Sequence, residues 1–76
     1  MNNHDDNNQL SPSQLAKMGW NRERRKFYRN GEYTIEFVYN VRVWVIYNKR
    51  REALFNFDTL KGAVTWFERN PEAFGR

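Results

Sequence analysis

The 76-residue sequence has no cysteine and only one histidine. Without thiols the chain can form neither a disulfide nor a thiolate-bound metal site, and this usage fits a reducing compartment, so we expect a cytoplasmic protein. The one imidazole, His4, stands among Asn and Asp residues near the amino terminus, and no second imidazole or thiolate exists to complete a metal site. The sequence therefore predicts neither a bound metal nor another cofactor.

Catalytic signatures are missing as well. Ser11 and Ser13 stand at a helix start and not beside a general base, and the four glycines are too widely spaced for a phosphate-binding loop. No apolar run approaches the roughly 18–20 residues that span a bilayer, and the amino terminus is rich in Asn and Asp where a signal peptide is basic and then apolar. We therefore expect a soluble, unprocessed protein without enzymatic activity and without a membrane partner.

Aromatic residues, in contrast, are plentiful: the chain has three Trp, four Tyr and six Phe. A chain of this length buries only about 60% of its unfolded surface, and each large ring adds roughly 150–250 Å² to that burial. The composition therefore predicts one small core. Residues 1–9 contain no large apolar side chain after Met1 and are predicted to be a disordered tail, whereas residues 10–76 are predicted to form a single domain.

Residues 10–19, LSPSQLAKMG, carry the signals of a short helix. The start and stop residues agree with one another: Ser11 as the N-cap, Pro12 at the first helical position, Gln14 as the partner in a Ser-x-x-Gln capping box and Gly19 as the stop. Leu15 and Met18 fall on one face, and with Trp20 they are expected to cover part of a sheet as a lid.

A β-hairpin is predicted around Asn30 and Gly31, since this dipeptide favours the positive φ angles of a type I′ turn. Residues 24–29 and 32–39 would then pair as antiparallel strands. That register sets opposite charges across the pair, Arg29 facing Glu32 and Arg25 facing Glu36. The competing interpretation is a helix through residues 21–29, NRERRKFYR, which include good helix formers.

Two further strands are predicted, residues 41–47 (VRVWVIY) in the centre of the sheet and ALFNF as its last strand, with NKRRE as the turn between them. Tight hairpins place one set of apolar side chains on a common face: Ile35, Phe37, Trp44, Ile46, Phe55 and Phe57. The opposite face would carry Val43, Val45 and Tyr47 beneath the amino-terminal lid.

The last element is predicted to be a helix with Asp58 as its N-cap and an end before Pro71. Its apolar side chains recur at helical spacing and can seal the sheet: Leu60, Ala63, Val64 and Phe67. Gly62 weakens the helix by roughly 1 kcal/mol relative to Ala, which predicts close packing there. The whole is an α+β fold, a three- or four-stranded antiparallel meander sheet packed against a C-terminal α-helix, with a short N-terminal helix.

Positive charge is in excess, with a formal net charge of +4. Eight of the 13 basic residues form two clusters, the first being Arg22, Arg24, Arg25, Lys26 and Arg29 and the second Lys49, Arg50 and Arg51. In a meander the turns after the first and third strands meet at one end of the sheet, so Arg29 and residues 49–51 are expected to converge. A basic edge strand also prevents aggregation between sheets, which is the alternative explanation for residues 24–26.

The predicted function is nucleic-acid binding, with DNA preferred to RNA, by cations on phosphates and rings on bases or sugars. The predicted site consists of both clusters and three further residues: Tyr28, Arg42 and Tyr47. The loop at residues 49–51 tests this prediction. Three consecutive cations at an exposed turn contribute little to a core, so their replacement is expected to leave stability nearly unchanged and to weaken binding.

One further pattern runs through residues 33–67, in which Trp44 lies in the central predicted strand and residues 49–51 form a basic turn. A spaced set of residues then leads into the helix: Phe57, Thr59, Ala63 and Trp66. These features resemble the small DNA-binding domain at the amino terminus of tyrosine-type integrases. The resemblance implies a three-stranded antiparallel sheet on a carboxy-terminal helix, with the sheet in the DNA major groove, and a small accessory or regulatory protein of a phage or mobile element. It covers about half of the chain and leaves out the Arg-rich segment and the first helix.

The alternative function is that of a non-enzymatic inhibitor or adaptor that binds a host protein. Large rings are the usual anchors of such interfaces, and the sequence offers several: Trp20, Tyr39, Tyr47 and Trp66.

Overall fold

The computed structural model describes residues 10–74, so the predicted tail at residues 1–9, His4 included, lies outside the described residues. The elements in chain order are α1 (Pro12–Lys17), β1 (Asn21–Arg24), β2 (Phe27–Asn30), β3 (Tyr33–Val38), β4 (Val43–Tyr47), β5 (Ala53–Phe57), α2 (Leu60–Arg69) and a 3₁₀ turn (Pro71–Phe74). The predicted α+β class, the antiparallel meander and the two helices are confirmed. None of the helices within residues 10–74 is long and apolar enough to cross a membrane.

The sheet has five strands in the order β1-β2-β3-β4-β5, and every neighbouring pair is antiparallel. Its first hairpin was not predicted, because the segment expected to be one strand or a helix turns back at Arg25 and Lys26. Lys26 has a φ of 58°, which makes that turn possible without a glycine. Phe27 and Tyr28 then lie on opposite faces of the sheet, as the two-residue period of a strand requires.

The second hairpin turns one residue later than predicted, because Asn30 pairs with Tyr33 and the loop is Gly31-Glu32. Gly31 supplies the positive φ, 63°, at the first loop position, as in a type II′ turn. The predicted cross-strand charge pairs are therefore wrong, since Arg29 faces Thr34. Asn30 has another role: its side-chain amide donates to the Met18 carbonyl oxygen at 3.2 Å and ties β2 to the end of α1.

The core lies on one face of the sheet, which we call the helix-covered face. The strand register confirms the predicted set on this face, with Ile35 opposite Ile46 and Phe37 opposite Trp44. Phe55 and Phe57 of β5 pair with Ile46 and Trp44 and continue the set. The predicted stripe of α2 packs against it and is buried: Leu60, Ala63, Val64 and Phe67.

The amino-terminal segment packs on this same face, so its prediction as a lid on the opposite face is wrong. Leu15 and Trp20 are buried in the common core, and the Trp20 ring meets the Phe67 ring edge-on with 5.0 Å between centroids. On the helix-covered face, the Leu15 and Trp20 side chains are buried against the apolar stripe of α2. The other face of the sheet carries charged residues and offers no such apolar surface.

The helix caps follow local sequence signals. Ser11 and Gln14 form the predicted capping box, with the Gln14 backbone N–H donating to Ser11 Oγ at 3.2 Å. In α2 the cap is Thr59 and not Asp58, because Thr59 Oγ1 accepts from the Gly62 backbone N–H at 2.9 Å. A Cβ at Gly62 would approach that hydroxyl to 3.0 Å, which accounts for a glycine inside the first turn.

Candidate nucleic-acid interface

The face of the sheet opposite the helices, which we call the open face, is covered by long charged side chains. Phe27, Thr34 and Val45 are at most 8% exposed there, although no helix of the described chain packs on this face. The guanidinium carbon of Arg24 lies 4.1 Å from the centre of the Phe27 ring. Arg51 lies 5.8 Å from the same ring, so the two predicted clusters meet above Phe27. Cationic groups over ring faces gain from the ring quadrupole while their stems bury apolar surface.

Arg51 is the most connected cation of the open face. Its guanidinium stacks 4.3 Å from the centre of the Tyr47 ring and donates to Thr34 Oγ1 at 3.2 Å. It also forms an ion pair with Glu36, with 2.8 Å between Nη2 and Oε1. Arg51 is exposed, as expected of the predicted turn, but its side chain folds back over the strands and contacts three of their residues.

At one end of the sheet, the turns at residues 31–32 and 48–52 meet, as predicted, and the Lys49 ammonium lies 3.8 Å from the Glu32 carboxylate. Glu23 binds Arg29 at 2.6 Å, so most cations here have a carboxylate partner. We call this the paired end, and it comprises Arg29, Glu32, Lys49, Arg50 and Arg51. Arg50 is its one cation without an ion pair among residues 10–74.

The opposite end, which we call the unpaired end, comprises Arg24, Arg25, Lys26 and the β3–β4 turn at residues 39–42. The Lys26 ammonium lies 4.4 Å from the centre of the Phe37 ring and 5.7 Å from that of Tyr39, which brings the two turns together. Tyr39 is 63% exposed. Within residues 10–74, no carboxylate forms an ion pair with the cations of this end: Arg24, Arg25, Lys26 and Arg42.

Arg29 lies at the paired end with residues 49–51, as predicted, but Arg25 and Lys26 of the first cluster lie at the opposite end. The reason is the unpredicted β1–β2 hairpin, which carries Arg25 and Lys26 away from Lys49. The rings of the predicted site are divided as well, because Tyr47 lies on the open face and Tyr28 on the helix-covered face. Arg22 is an exposed residue of the edge strand β1 and pairs with Tyr28.

Backbone strain distinguishes three of the cations. Among the described residues other than glycine, positive φ angles occur only at Lys26 (58°), Arg42 (56°) and Arg51 (65°). The left-handed conformation costs roughly 1–2 kcal/mol for a residue with a Cβ, and Gly or Asn adopts it more easily. Arg51 recovers part of that cost through its side-chain contacts. The Arg42 backbone N–H donates to the Val38 carbonyl oxygen at 2.8 Å, but its exposed side chain forms no described hydrogen bond or ion pair. The fold alone does not account for arginine at position 42.

Two residues outside the predicted nucleic-acid site belong to this region. Phe27 is the ring on which Arg24 and Arg51 meet, and Tyr39 is the exposed ring beside Lys26. In the sequence Phe27 follows Lys26 directly, and Tyr39 stands at a turn three residues before Arg42, so nearness to basic residues is the signal that indicates them. Trp20, in contrast, is 1% exposed and cannot anchor a partner protein.

Comparisons with models of known protein families, with characterised proteins and with solved structures find no match. The stretch that resembles the integrase domain forms β3, β4, β5 and most of α2, and β1 and β2 precede it. The resemblance remains a prediction. Within residues 10–74 no three His, Cys, Asp or Glu side chains gather closely enough to hold a metal ion.

Proposed function

We propose that this protein binds nucleic acid without catalysis, through the unpaired end and the adjoining part of the open face. The observation that carries the proposal is that Lys26 and Arg42 occupy strained backbone conformations at one end of the sheet. A purely structural turn is served better by glycine or asparagine. Strain of this kind is characteristic of positions at which the side chain has a function.

Unpaired cations are the physical reason for a polyanion as the ligand. A cation that lacks a carboxylate partner is available to neutralise a phosphate, and binding then gains free energy because counterions condensed on the nucleic acid are released. Arg24, Arg25, Lys26 and Arg42 are such cations, and the exposed Tyr39 ring beside them offers a plane for stacking. The proposal includes a cytoplasmic location and an accessory or regulatory role. DNA is preferred to RNA on the strength of the integrase resemblance.

A charge-matched pair of variants tests the proposal. The first is the triple variant Arg25→Gln, Lys26→Gln and Arg42→Gln. The second replaces exposed basic residues of the helices, Lys17→Gln, Lys61→Gln and Arg69→Gln, and has the same net charge. Binding of labelled single-stranded and duplex DNA and RNA is measured from about 20 to 200 mM salt.

We expect the first variant to lose about tenfold or more in affinity at low salt and roughly 2–3 units of the slope of log affinity against log salt. The helix variant should change both quantities much less. Equal losses in the two variants would show that only net charge matters. If the affinity of the native protein for nucleic acid did not change with salt concentration, the proposed interface would be excluded.

The second candidate is the binding of a host protein, which the exposed apolar side chains Tyr39 and Val41 favour, at 63% and 62% exposure. Rings at loop tips are common interface anchors. The two candidates are separated by a pull-down with and without nuclease. One protein partner retained in nuclease-treated lysate, and lost on Tyr39→Ala, would support the second candidate.

A further inference from the structure

A pocket of about 360 Å³ opens beside the unpaired end, between the helix-covered face and the starts of both helices. Tyr28 and Trp44 line it from the sheet, Leu10 from the segment before α1, and Lys26 and Asp58 from the adjoining turns. Binding pockets for small organic groups begin at roughly 300 Å³ and combine apolar walls with a few polar groups. This pocket has both properties.

The walls of the pocket suit a flat ring. The centroids of Tyr28 and Trp44 lie 6.3 Å apart with their planes inclined by 42°, and both side chains are half-buried. Phe37 supports the Trp44 ring from the side at 5.3 Å. Two inclined rings held by a third present aromatic surface on which another ring can stack.

The polar groups of the pocket are a donor and an acceptor of opposite charge. The Lys26 ammonium and the Asp58 carboxylate form no ion pair with each other or with another residue of the described chain. Asp58 does not cap α2, because Thr59 has that role. A ligand with acceptor atoms and an exocyclic amino group can satisfy both.

From this geometry we infer that the pocket binds one unstacked nucleobase of a single strand, while the unpaired end holds the neighbouring phosphates. The inference rests on the proposed function and adds its substrate class, because a base inside a duplex cannot enter. Asp58 favours bases that carry an amino group, and carboxylates commonly accept from N4 of cytosine. Cytosine and adenine are therefore preferred to thymine.

The first experiment compares a short single-stranded oligodeoxynucleotide with an abasic strand of the same length, by fluorescence anisotropy at low salt. We expect the strand with bases to bind at least about fivefold more tightly, which is the lower limit for one stacked base. Equal affinities would overturn the pocket and leave phosphate binding intact. Failure of both strands to bind would overturn the proposed function itself.

A matched pair of variants identifies the ring responsible. Trp44→Leu should reduce the preference for the strand with bases to at most the part that stacking on Tyr39 supplies, and Trp66→Leu should retain it in full. Both rings are half-buried and pack on phenylalanines, but Trp66 contacts Phe55 and Phe57 outside this pocket. An undiminished preference in a folded Trp44→Leu variant would overturn the inference.

If Trp44→Leu does not fold, Asp58→Asn provides a second test. Asp58 is exposed, so this substitution should not disturb the core. The native protein should bind oligo-dC more tightly than oligo-dT, by about fivefold or more. The variant should lose that difference, since an amide also donates to the thymine carbonyl groups. Equal binding of both strands by the native protein, or an unchanged preference in the variant, would contradict the pocket.

Discussion

The two ends of the sheet differ in the partners of their basic residues. At the paired end, Arg29, Lys49 and Arg51 each have a glutamate within 4 Å. At the unpaired end, Arg25, Lys26 and Arg42 have none among residues 10–74. The number of basic residues in a stretch of sequence therefore says little about where a polyanion binds. What matters is the number of charges that the fold leaves unneutralised.

The ion pairs of the paired end have a modest energetic role. Both side chains of the Lys49–Glu32 pair are about two-thirds exposed, at 68% and 67%, and such pairs contribute 0–1 kcal/mol to stability. Each nevertheless occupies a cation that a phosphate would otherwise contact. Substitutions at the two ends test this difference between neutralised and unneutralised cations.

The largest effect is expected from removing the carboxylates that neutralise the paired end. Glu32→Gln combined with Glu36→Gln leaves Lys49 and Arg51 without partners, and up to two added phosphate contacts should raise affinity about ten- to hundredfold at low salt. The salt slope should steepen by up to about 2 units. The control Glu68→Gln with Glu72→Gln makes the same change in net charge, and an equal rise in that control would contradict a local effect.

The next effect concerns stability. Arg51→Ala removes the donor to the buried Thr34 hydroxyl and the partner of Glu36, which is only 25% exposed. We expect the free energy of unfolding to fall by about 1–2 kcal/mol. The loss is smaller than for a fully buried ion pair, because water screens the half-exposed Arg51 guanidinium. Urea denaturation measures the change. Arg50→Ala, which removes a neighbouring side chain without an ion pair, should stay within about 0.5 kcal/mol.

A smaller effect of opposite sign is expected at Arg42. Arg42→Gly relieves a left-handed conformation and should raise stability by about 0.5–1 kcal/mol after the entropy of the unfolded chain is counted. Nucleic-acid affinity should fall at the same time. Arg25→Gly is the control, because Arg25 has no positive φ to relieve. A loss of stability in Arg42→Gly would show that the arginine has a structural role.

The smallest effect is expected at Lys49. Its ammonium is 3.8 Å from the Glu32 carboxylate and strongly exposed, so Lys49→Gln should change the free energy of unfolding by less than about 0.5 kcal/mol. Thermal unfolding at two salt concentrations measures this. A decrease of more than about 1 kcal/mol at low salt would mean that the exposed pair stabilises the turns far more than its geometry indicates.

The sequence predicted the elements whose signals are local. The capping box of α1, the apolar stripe of α2 and the alternation in β3 and β4 each specify their own structure. The β1–β2 hairpin was missed because its turn, Arg25-Lys26, contains none of the usual turn residues. Its left-handed residue is a lysine, and no propensity rule places lysine there.

The candidate site was predicted less well than the fold, because its properties depend on register. The sequence identified the basic clusters but assigned the wrong partners, since Arg29 pairs with Glu23 of β1 and not with Glu32. Which cations remain unpaired follows from two hairpin turns and the irregular pairing between β1 and β2. Moving the β2–β3 turn by one residue changes each cross-strand partner by two positions and keeps each side chain on its face, so the ion pairs change while the core set does not. Composition contains no information about such shifts.

The consecutive order of the strands has a consequence for how the chain folds. Each strand pairs only with its neighbours in sequence, across loops short enough that closing them costs little entropy, so the hairpins should form within about 1–10 μs. The contact between Trp20 and Phe67 is different, because it joins the beginning of the domain to its last helix. We expect the docking of these two rings to limit the folding rate. Replacing Trp20 by a smaller side chain should leave the hairpins formed but weaken the packing of the first segment against the last helix.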